Sequence, residues 1–179
     1  MIICAGNNET FDFAQPMGVG LIETAMNLTR LCLFDKPEFL LFVGSAGSYG
    51  DAKIFDIIES KTAANIELAF LSSDAYTPID NVVSTNTTNK KDIVVNSSNY
   101  ISTNAELAKN FQKFGVGIEN MEFFAVLKIA EEFNIPAGGV FCVTNYTNKH
   151  AHEDFLKNHE EAKKLLGEHI KKRIKELTK

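Results

Sequence analysis

A chain of 179 residues, 45% of them hydrophobic, can bury one sizeable core, so a single domain over residues 1–179 is expected. A net charge of −5 and only two arginines, Arg30 and Arg173, exclude extended contact with a phosphate backbone, and with it a nucleic-acid partner. The longest apolar run, Phe39 to Val43, is far shorter than the roughly 20 residues that cross a bilayer, and the N-terminus lacks the basic and apolar regions of a secretion signal, so no membrane partner and a cytoplasmic location are expected.

In chain order, residues 2–4 read as a short strand and residues 18–33 as a helix with Ile22, Ala25, Met26, Thr29 and Leu33 near 3.6-residue spacing, closed by Pro37. Residues 39–43 form a continuous apolar run of strand length, as in a strand covered on both faces, and residues 54–59 and 66–71 are further strand candidates. Residues 72–91, rich in Ser, Thr, Asn and Asp, read as a long surface excursion. Another strand follows at 92–96. Asn104 then caps a helix with Leu107, Ala108, Phe111 and Phe114 on one face, stopped by Gly115 and Gly117. A helix from about Asn120 turns Phe124, Ala125, Leu127, Ile129 and Phe133 inward, and residues 138–144 give an apolar strand. The last helix starts near Glu153 and carries Phe155, Leu156, Ala162, Leu165, Leu166, Ile170, Ile174 and Leu177 at helical intervals. Strands alternating with helices predict an α/β fold, a mostly parallel or mixed sheet flanked by helices on both faces, with ligands at the carboxyl ends of the strands. Cys4, Cys32 and Cys142 lie far apart in apolar segments, which suits reduced core thiols, and neither a metal nor a cofactor is expected.

Three segments can carry chemistry. Gly44-Ser45-Ala46-Gly47-Ser48-Tyr49-Gly50 follows a strand, and its backbone N–H groups can receive an anion or a sugar hydroxyl; the alternative is a plain glycine turn. Its glycine order and the strand-like stretch after it do not fit a dinucleotide fingerprint. Gly18 and Gly20, before the first long helix, are either tight packing or a phosphate cradle. Gly117-Ile118-Glu119-Asn120-Met121-Glu122 puts a carboxylate at a helix start, either as an ordinary acidic first turn or as a grip on paired ribose hydroxyls.

Taken in order, these segments resemble the superfamily of purine nucleoside phosphorylases and methylthioadenosine/S-adenosylhomocysteine nucleosidases. Met17-Gly18-Val19-Gly20 is similar to the family's Ser-Gly-Ile-Gly before its first major helix, and Phe42-Val43-Gly44-Ser45-Ala46-Gly47 to its strand and Gly-[ST]-Ala-Gly turn. Asn99-Tyr100-Ile101 looks like the Ala-Phe-Ile segment, Met121-Glu122 matches the Met-Glu pair, and Thr144-Asn145 stands in the place of Ser-Asp. The resemblance implies a three-layer sandwich and a nucleophile or phosphate pocket at Gly18, Gly20, Ser45, Ala46 and Gly47. It further implies ribose held by Met121 and Glu122, and a purine contacted by Tyr100, Ile101 and Asn145. Ile2 to Glu9 resembles the nucleosidase opening strand, whose terminal acid helps activate water. Glu9 is then the candidate base, with Asn145 as the second catalytic position. The stretch from Glu9 to Met17 is shorter than in family members, so the sheet is expected to be shortened at its N-terminus. Glu9 is either a surface carboxylate or part of a site that a partner subunit completes.

Breaking a purine N-glycosidic bond builds positive charge on the ribose and negative charge on the base, so a site must hold the sugar, hydrogen-bond the base and present a nucleophile. Asn145 cannot act as a general acid, but its amide both donates and accepts, which suits a 6-oxopurine edge. The resemblance implies arginine clamps in phosphorylases, and both arginines here fall on predicted helices away from the glycine segment, so water is the expected nucleophile. His150 or His152 can line the pocket or remain solvated. Three readings stand: a purine nucleosidase, a phosphorylase using phosphate, and a purine- or nucleoside-binding protein without turnover. Each is expected as a homo-oligomer.

Overall fold

The computed structural model describes residues 1–87 and 92–177, residue 177 by its backbone alone, so residues 88–91 of the expected excursion and the Leu177 side chain lie outside the described residues. The described chain runs β1 (Ile2–Cys4), β2 (Gln15–Pro16), α1 (Gly20–Asp35), β3 (Leu40–Ser48), β4 (Ile57–Ser60), β5 (Thr62–Ala64) and α2 (Leu68–Leu71). It continues through β6 (Val82–Ser84), β7 (Val94–Asn96), α3 (Ala105–Lys113), β8 (Val116–Glu119), α4 (Phe123–Glu132), β9 (Ala137–Tyr146) and α5 (Ala151–Leu177). The nine described strands form one mixed sheet.

β3 and β9 are its centre. They pair in parallel from Leu40↔Ala137 to Ser48↔Tyr146, and both are buried along most of their length, as their continuous apolar runs require. Side chains alternate across them. Phe42 and Phe141 point to one face, where Leu28, Leu31, Phe123 and Val126 of α1 and α4 cover them. Val43, Val140 and Cys142 point to the other, against Ala162, Leu166 and Ile170 of α5. The expected three layers are therefore present. α3 closes a smaller cluster in which Phe111 stacks on Tyr49 at 4.3 Å between ring centroids. All three cysteines are buried and free.

The far edge of β3 is shared by two strands. Its first half pairs with β1 in parallel, Ile3↔Phe42, and its end pairs with β8 antiparallel, Gly47↔Glu119. Among the described residues, β3 has no strand partner on this edge between Phe42 and Gly47. The sheet is split there, which leaves the Ser45 main-chain groups to the side chains of Glu9 and Asn120.

Several expectations need correction. Residues 66–71 are not a strand. Asn96 captures both main-chain groups of Ile66 through Oδ1 (2.8 Å) and Nδ2 (3.1 Å), the ladder ends at Ala64, and Leu68–Leu71 is a helical turn. The segment after Val43 is strand up to Ser48 rather than a glycine turn, and Gly117 lies inside β8 instead of only ending a helix. The strand expected at 54–59 starts at Ile57, and the excursion carries the short edge strand β6 with Val83 buried. On α1 the buried residues are Gly20, Thr24, Leu28, Leu31 and Cys32, whereas Ile22, Met26 and Leu33 are exposed. On α4, Phe123, Val126 and Ala130 are deeper than Phe124, Ile129 and Phe133, and on α5 Leu156 and Ile174 are exposed.

Candidate functional site

A cavity of about 300 Å³ opens at the split in the sheet. Its walls come from the end of β1 and the turn after it (Ala5 to Glu9), the middle of β3 (Ser45, Ala46, Gly47), and the end of β8 with the start of α4 (Glu119 to Glu122). Tyr100 and Ile101, Asn145 at the end of β9, and Ala151, His152 and Phe155 of α5 complete it. The segments singled out in the sequence, from 2 to 145, therefore converge on one cavity. Its position at the carboxyl ends of β1 and β9 is the usual ligand position in an open α/β sheet.

Asn120 organises the floor. Its Oδ1 accepts the N–H groups of Glu122 and Phe123, both at 3.0 Å, capping α4, and its Nδ2 donates to the Ser45 carbonyl at 3.1 Å. This one side chain ties the helix start to the unpaired stretch of β3. On the same stretch the Ser45 N–H donates to Glu9 Oε1 at 3.1 Å, and the Ser45 hydroxyl donates to the same oxygen. Glu9 thus faces the cavity from the turn after β1, with a defined direction.

Glu122 is 3% exposed, and its Oε1 accepts the Gly20 N–H at 2.9 Å. Gly20 is the first residue of α1 and has φ +81°, where an added Cβ would sit 2.7 Å from Asn99 Oδ1. Asn99 Oδ1 in turn accepts the Leu21 N–H at 3.0 Å. The start of α1 is capped by residues distant in sequence, and its positive end is turned toward Glu122. Burial pushes the Glu122 carboxyl up to about 7, and the neighbouring negative charge of Glu9 adds to the rise.

Glu119, Gly47 and Asn145 form one row across the sheet, because Gly47 pairs with Glu119 on one side and with Asn145 on the other. Asn145 is 6% exposed; Thr144 Oγ1 donates to its Oδ1 at 2.9 Å, and its Nδ2 donates to the Tyr146 carbonyl at 3.3 Å. Glu119 Oε2 accepts from the Tyr49 hydroxyl at 2.9 Å, and Oε1 accepts from the Ser102 N–H at 3.0 Å. Burial raises the Glu119 carboxyl above the ordinary value, opposed by those donors. The Tyr49 hydroxyl is pushed up by burial and by Glu119, so it stays a donor.

Of the residues picked from sequence, Glu9, Ser45, Ala46, Gly47, Tyr100, Ile101, Met121, Glu122 and Asn145 line the cavity. Gly18 and Gly20 do not line it, and Gly20 reaches it only through the hydrogen bond its N–H donates to Glu122. Tyr100 and Ile101 are exposed at its rim. His152 lines it, while His150 turns to Glu153 at 3.3 Å. Neither arginine is among the lining residues, and Arg173 is engaged by Glu59 on β4. Sequence reasoning assigned no role to Glu119, Asn120 or Phe155; the position of Glu119 opposite Gly47 depends on strand pairing, and no local motif marks it.

The fold has relatives among solved structures. A mutant of the Helicobacter pylori nucleosidase MTAN with 5′-methylthioadenosine in its active site has a TM-score of 0.78 at 18% identity, over 91% of this chain and 79% of that one. A mutant of the futalosine hydrolase of Helicobacter pylori scores 0.81 at 16% identity, over 98% and 97%. The Streptococcus pneumoniae MTA/SAH nucleosidase in complex with 8-aminoadenine scores 0.74 at 15% identity, over 93% and 94%. No curated protein sequence matches the chain. The family model described as the phosphorylase superfamily matches residues 2–175, nearly the whole length, and the chain belongs to that superfamily.

Proposed function

We propose that the protein hydrolyses the N-glycosidic bond of a purine nucleoside. The observation that carries the reading is the pairing of two carboxylates in one cavity, Glu122 buried against the start of α1 and Glu9 held by Ser45. In this reading Glu122 accepts hydrogen bonds from the ribose hydroxyls and offsets the positive charge that develops on the sugar. Glu9 takes a proton from water as the water oxygen bonds to C1′. The C1′–N9 bond breaks, its electron pair leaves with the base, and the base takes up a proton from solvent. Tyr100 and Ile101 contact the base from the rim, and the Asn145 amide hydrogen-bonds its edge, with a 6-oxopurine preferred. The nucleosidases among the structural relatives support the same chemistry, as does superfamily membership.

Water is favoured over phosphate as nucleophile because, among the described residues, no Lys or Arg lines the cavity. Binding without turnover is the second reading, favoured by an amide at position 145 where a proton donor would assist departure of the base. One experiment separates all three: chromatography of a nucleoside panel with and without phosphate. Hydrolysis predicts free base and ribose without phosphate; phosphate-dependent ribose 1-phosphate, or saturable binding without cleavage, overturns it. Glu122→Ala is expected to lower turnover at least a hundredfold.

The site is further proposed to work in a homo-oligomer. The outer face of α1, with Ile22 and Met26 exposed, adjoins the rim residues Tyr100 and Ile101 through the Leu21–Asn99 bond.

A further inference from the structure

Glu9 stands on a turn that lies beyond the strands of the sheet. β1 ends at Cys4, and the Ala5 carbonyl still accepts the Gly18 N–H at 2.8 Å. Past Ala5, among the described residues, the main chain of the turn is closed by the single bridge Gly6↔Glu9. Gly6 has φ +103° and Asn7 φ +52°, and a residue with a side chain enters that left-handed region at a cost. A short turn with so little main-chain support holds one orientation only when a contact from outside fixes it.

That contact comes from α5. His159 is 6% exposed, and its Nε2 lies 2.8 Å from the Asn8 carbonyl oxygen. A carbonyl only accepts, so Nε2 carries a proton and the ring donates. Nδ1 is buried with no partner among the described residues, which makes the Asn8 bond the one polar anchor of this ring. The Asn8 carbonyl and the Glu9 N–H belong to the same peptide unit, and the Glu9 N–H donates to the Gly6 carbonyl at 2.9 Å. A planar peptide held at both its oxygen and its hydrogen has one orientation, and that orientation sets the direction in which the Glu9 side chain leaves the backbone. The helix behind it is itself fixed: Asn158 Nδ2 donates to the Thr144 carbonyl at 2.8 Å, and Ala162 and Leu166 pack against Val43, Val140 and Cys142. Phe155, one helical turn before His159, meets its ring at 4.8 Å between centroids and lines the cavity.

We propose that His159 is a positioning residue for Glu9, fixing through the Asn8 carbonyl the peptide that aims the base at the attacking water. This role rests on the reading of Glu9 as the base. His159 is not among the residues that line the cavity, so it acts through Glu9 and touches no reacting atom. An error of about 1 Å in the placement of a reacting group can cost on the order of a hundredfold in rate, so a contact behind the cavity wall can govern the step inside it.

The test is steady-state kinetics of the full chain on inosine and adenosine, following whichever the wild type cleaves faster. His159→Leu removes the donor and is expected to lower kcat about tenfold or more with KM within about threefold of wild type, because a misaimed base slows the chemical step and leaves the sugar and base contacts intact. His159→Gln brings an amide N–H close to the place of Nε2 and is expected to recover most of the lost kcat. In the Glu9→Gln background, which has no base to aim, His159→Leu is expected to cost less than about threefold further, since residues that act through one group are not additive. A nitrogen NMR spectrum of the labelled wild type, which requires no variant to fold, is expected to show a proton on His159 Nε2. The positioning role is overturned by a ring protonated on Nδ1 alone, by a His159→Gln variant as slow as His159→Leu, or by equal losses with and without Glu9. A rise in KM at unchanged kcat also overturns it, and assigns the ring to support of the Phe155 wall. Each of these outcomes leaves the base reading of Glu9 standing. If Glu9→Gln keeps the wild-type kcat, or neither nucleoside is cleaved, the base reading fails first and the positioning role falls with it.

Discussion

Glu122 shows how one residue is shaped by neighbours that its local sequence does not reveal. The adjacent pair Met121-Glu122 is a local pattern and could be read directly, but the burial that pushes Glu122 up to about 7 arises only in the folded chain, and the charge that adds to the rise belongs to Glu9, distant in the sequence. A folded-state value above the ordinary 4.5 means that the protonated form is the one folding favours. Its contribution is fully present below pH 4.5 and is lost as pH rises through about 7. Glu122→Gln keeps an oxygen for the Gly20 N–H and imitates the protonated form, so thermal unfolding is expected to show the variant gaining more over wild type at pH 8 than at pH 5. Each tenfold change in proton affinity is worth about 1.4 kcal/mol, so the gain at pH 8 is on the order of 3 kcal/mol. An equal effect at both pH values would mean that Glu122 is not titrating in this window. Asn145→Asp, in turn, replaces the amide donor with a carboxyl and is expected to move preference toward adenosine-type substrates in a competition assay. Glu119 was not legible, since its place beside Asn145 follows from strand register across Gly47, and register is a property of the assembled sheet.

At the scale of elements, the legible ones carry their own signal in a continuous window. The apolar runs of β3 and β9 and the Asn104 cap of α3 were read correctly because burial on both faces and capping each leave a local pattern. α1 was found, but its inward face was misassigned, because the helix carries apolar residues on opposite sides: Leu28 and Leu31 in the core, Ile22 and Met26 outside. Residues 66–71 misled for another reason, as Asn96 supplies from another strand the hydrogen bonds that a neighbouring strand would have supplied. The start of α4 is the element on which the site depends most. Asn120→Ala removes two cap bonds and the link to Ser45. Loss of a cap costs about 1–2 kcal/mol, so a fall in Tm of several degrees is expected by calorimetry. Because the same side chain joins Glu122 to the Ser45 stretch, nucleoside binding should weaken by more than the stability change implies at a temperature where both proteins are folded. Unchanged affinity would show that Glu122 holds its position through Gly20 alone.

At the scale of the whole molecule, the proposed homo-oligomer would form on the outer face of α1. Ile22 is 68% and Met26 66% exposed, and Tyr100, at the cavity rim beside the same helix start, is 78% exposed. Large apolar side chains clustered beside a ligand cavity are what a protein–protein interface covers. A second copy laid on it would shield the Tyr100-Ile101 rim from water and narrow the cavity mouth. The double variant Ile22→Glu, Met26→Glu places two like charges in that contact without touching the buried residues Thr24, Leu28 and Leu31. Sedimentation equilibrium is expected to give an oligomer for the wild type and a monomer for the variant, with circular dichroism unchanged. Nucleoside affinity should fall in the variant even though no cavity-lining residue has been altered, because the rim would be hydrated in the free monomer. A wild type that sediments as a monomer at micromolar concentration would refute the assembly, and a dissociated variant with full affinity would show that each copy builds its site alone.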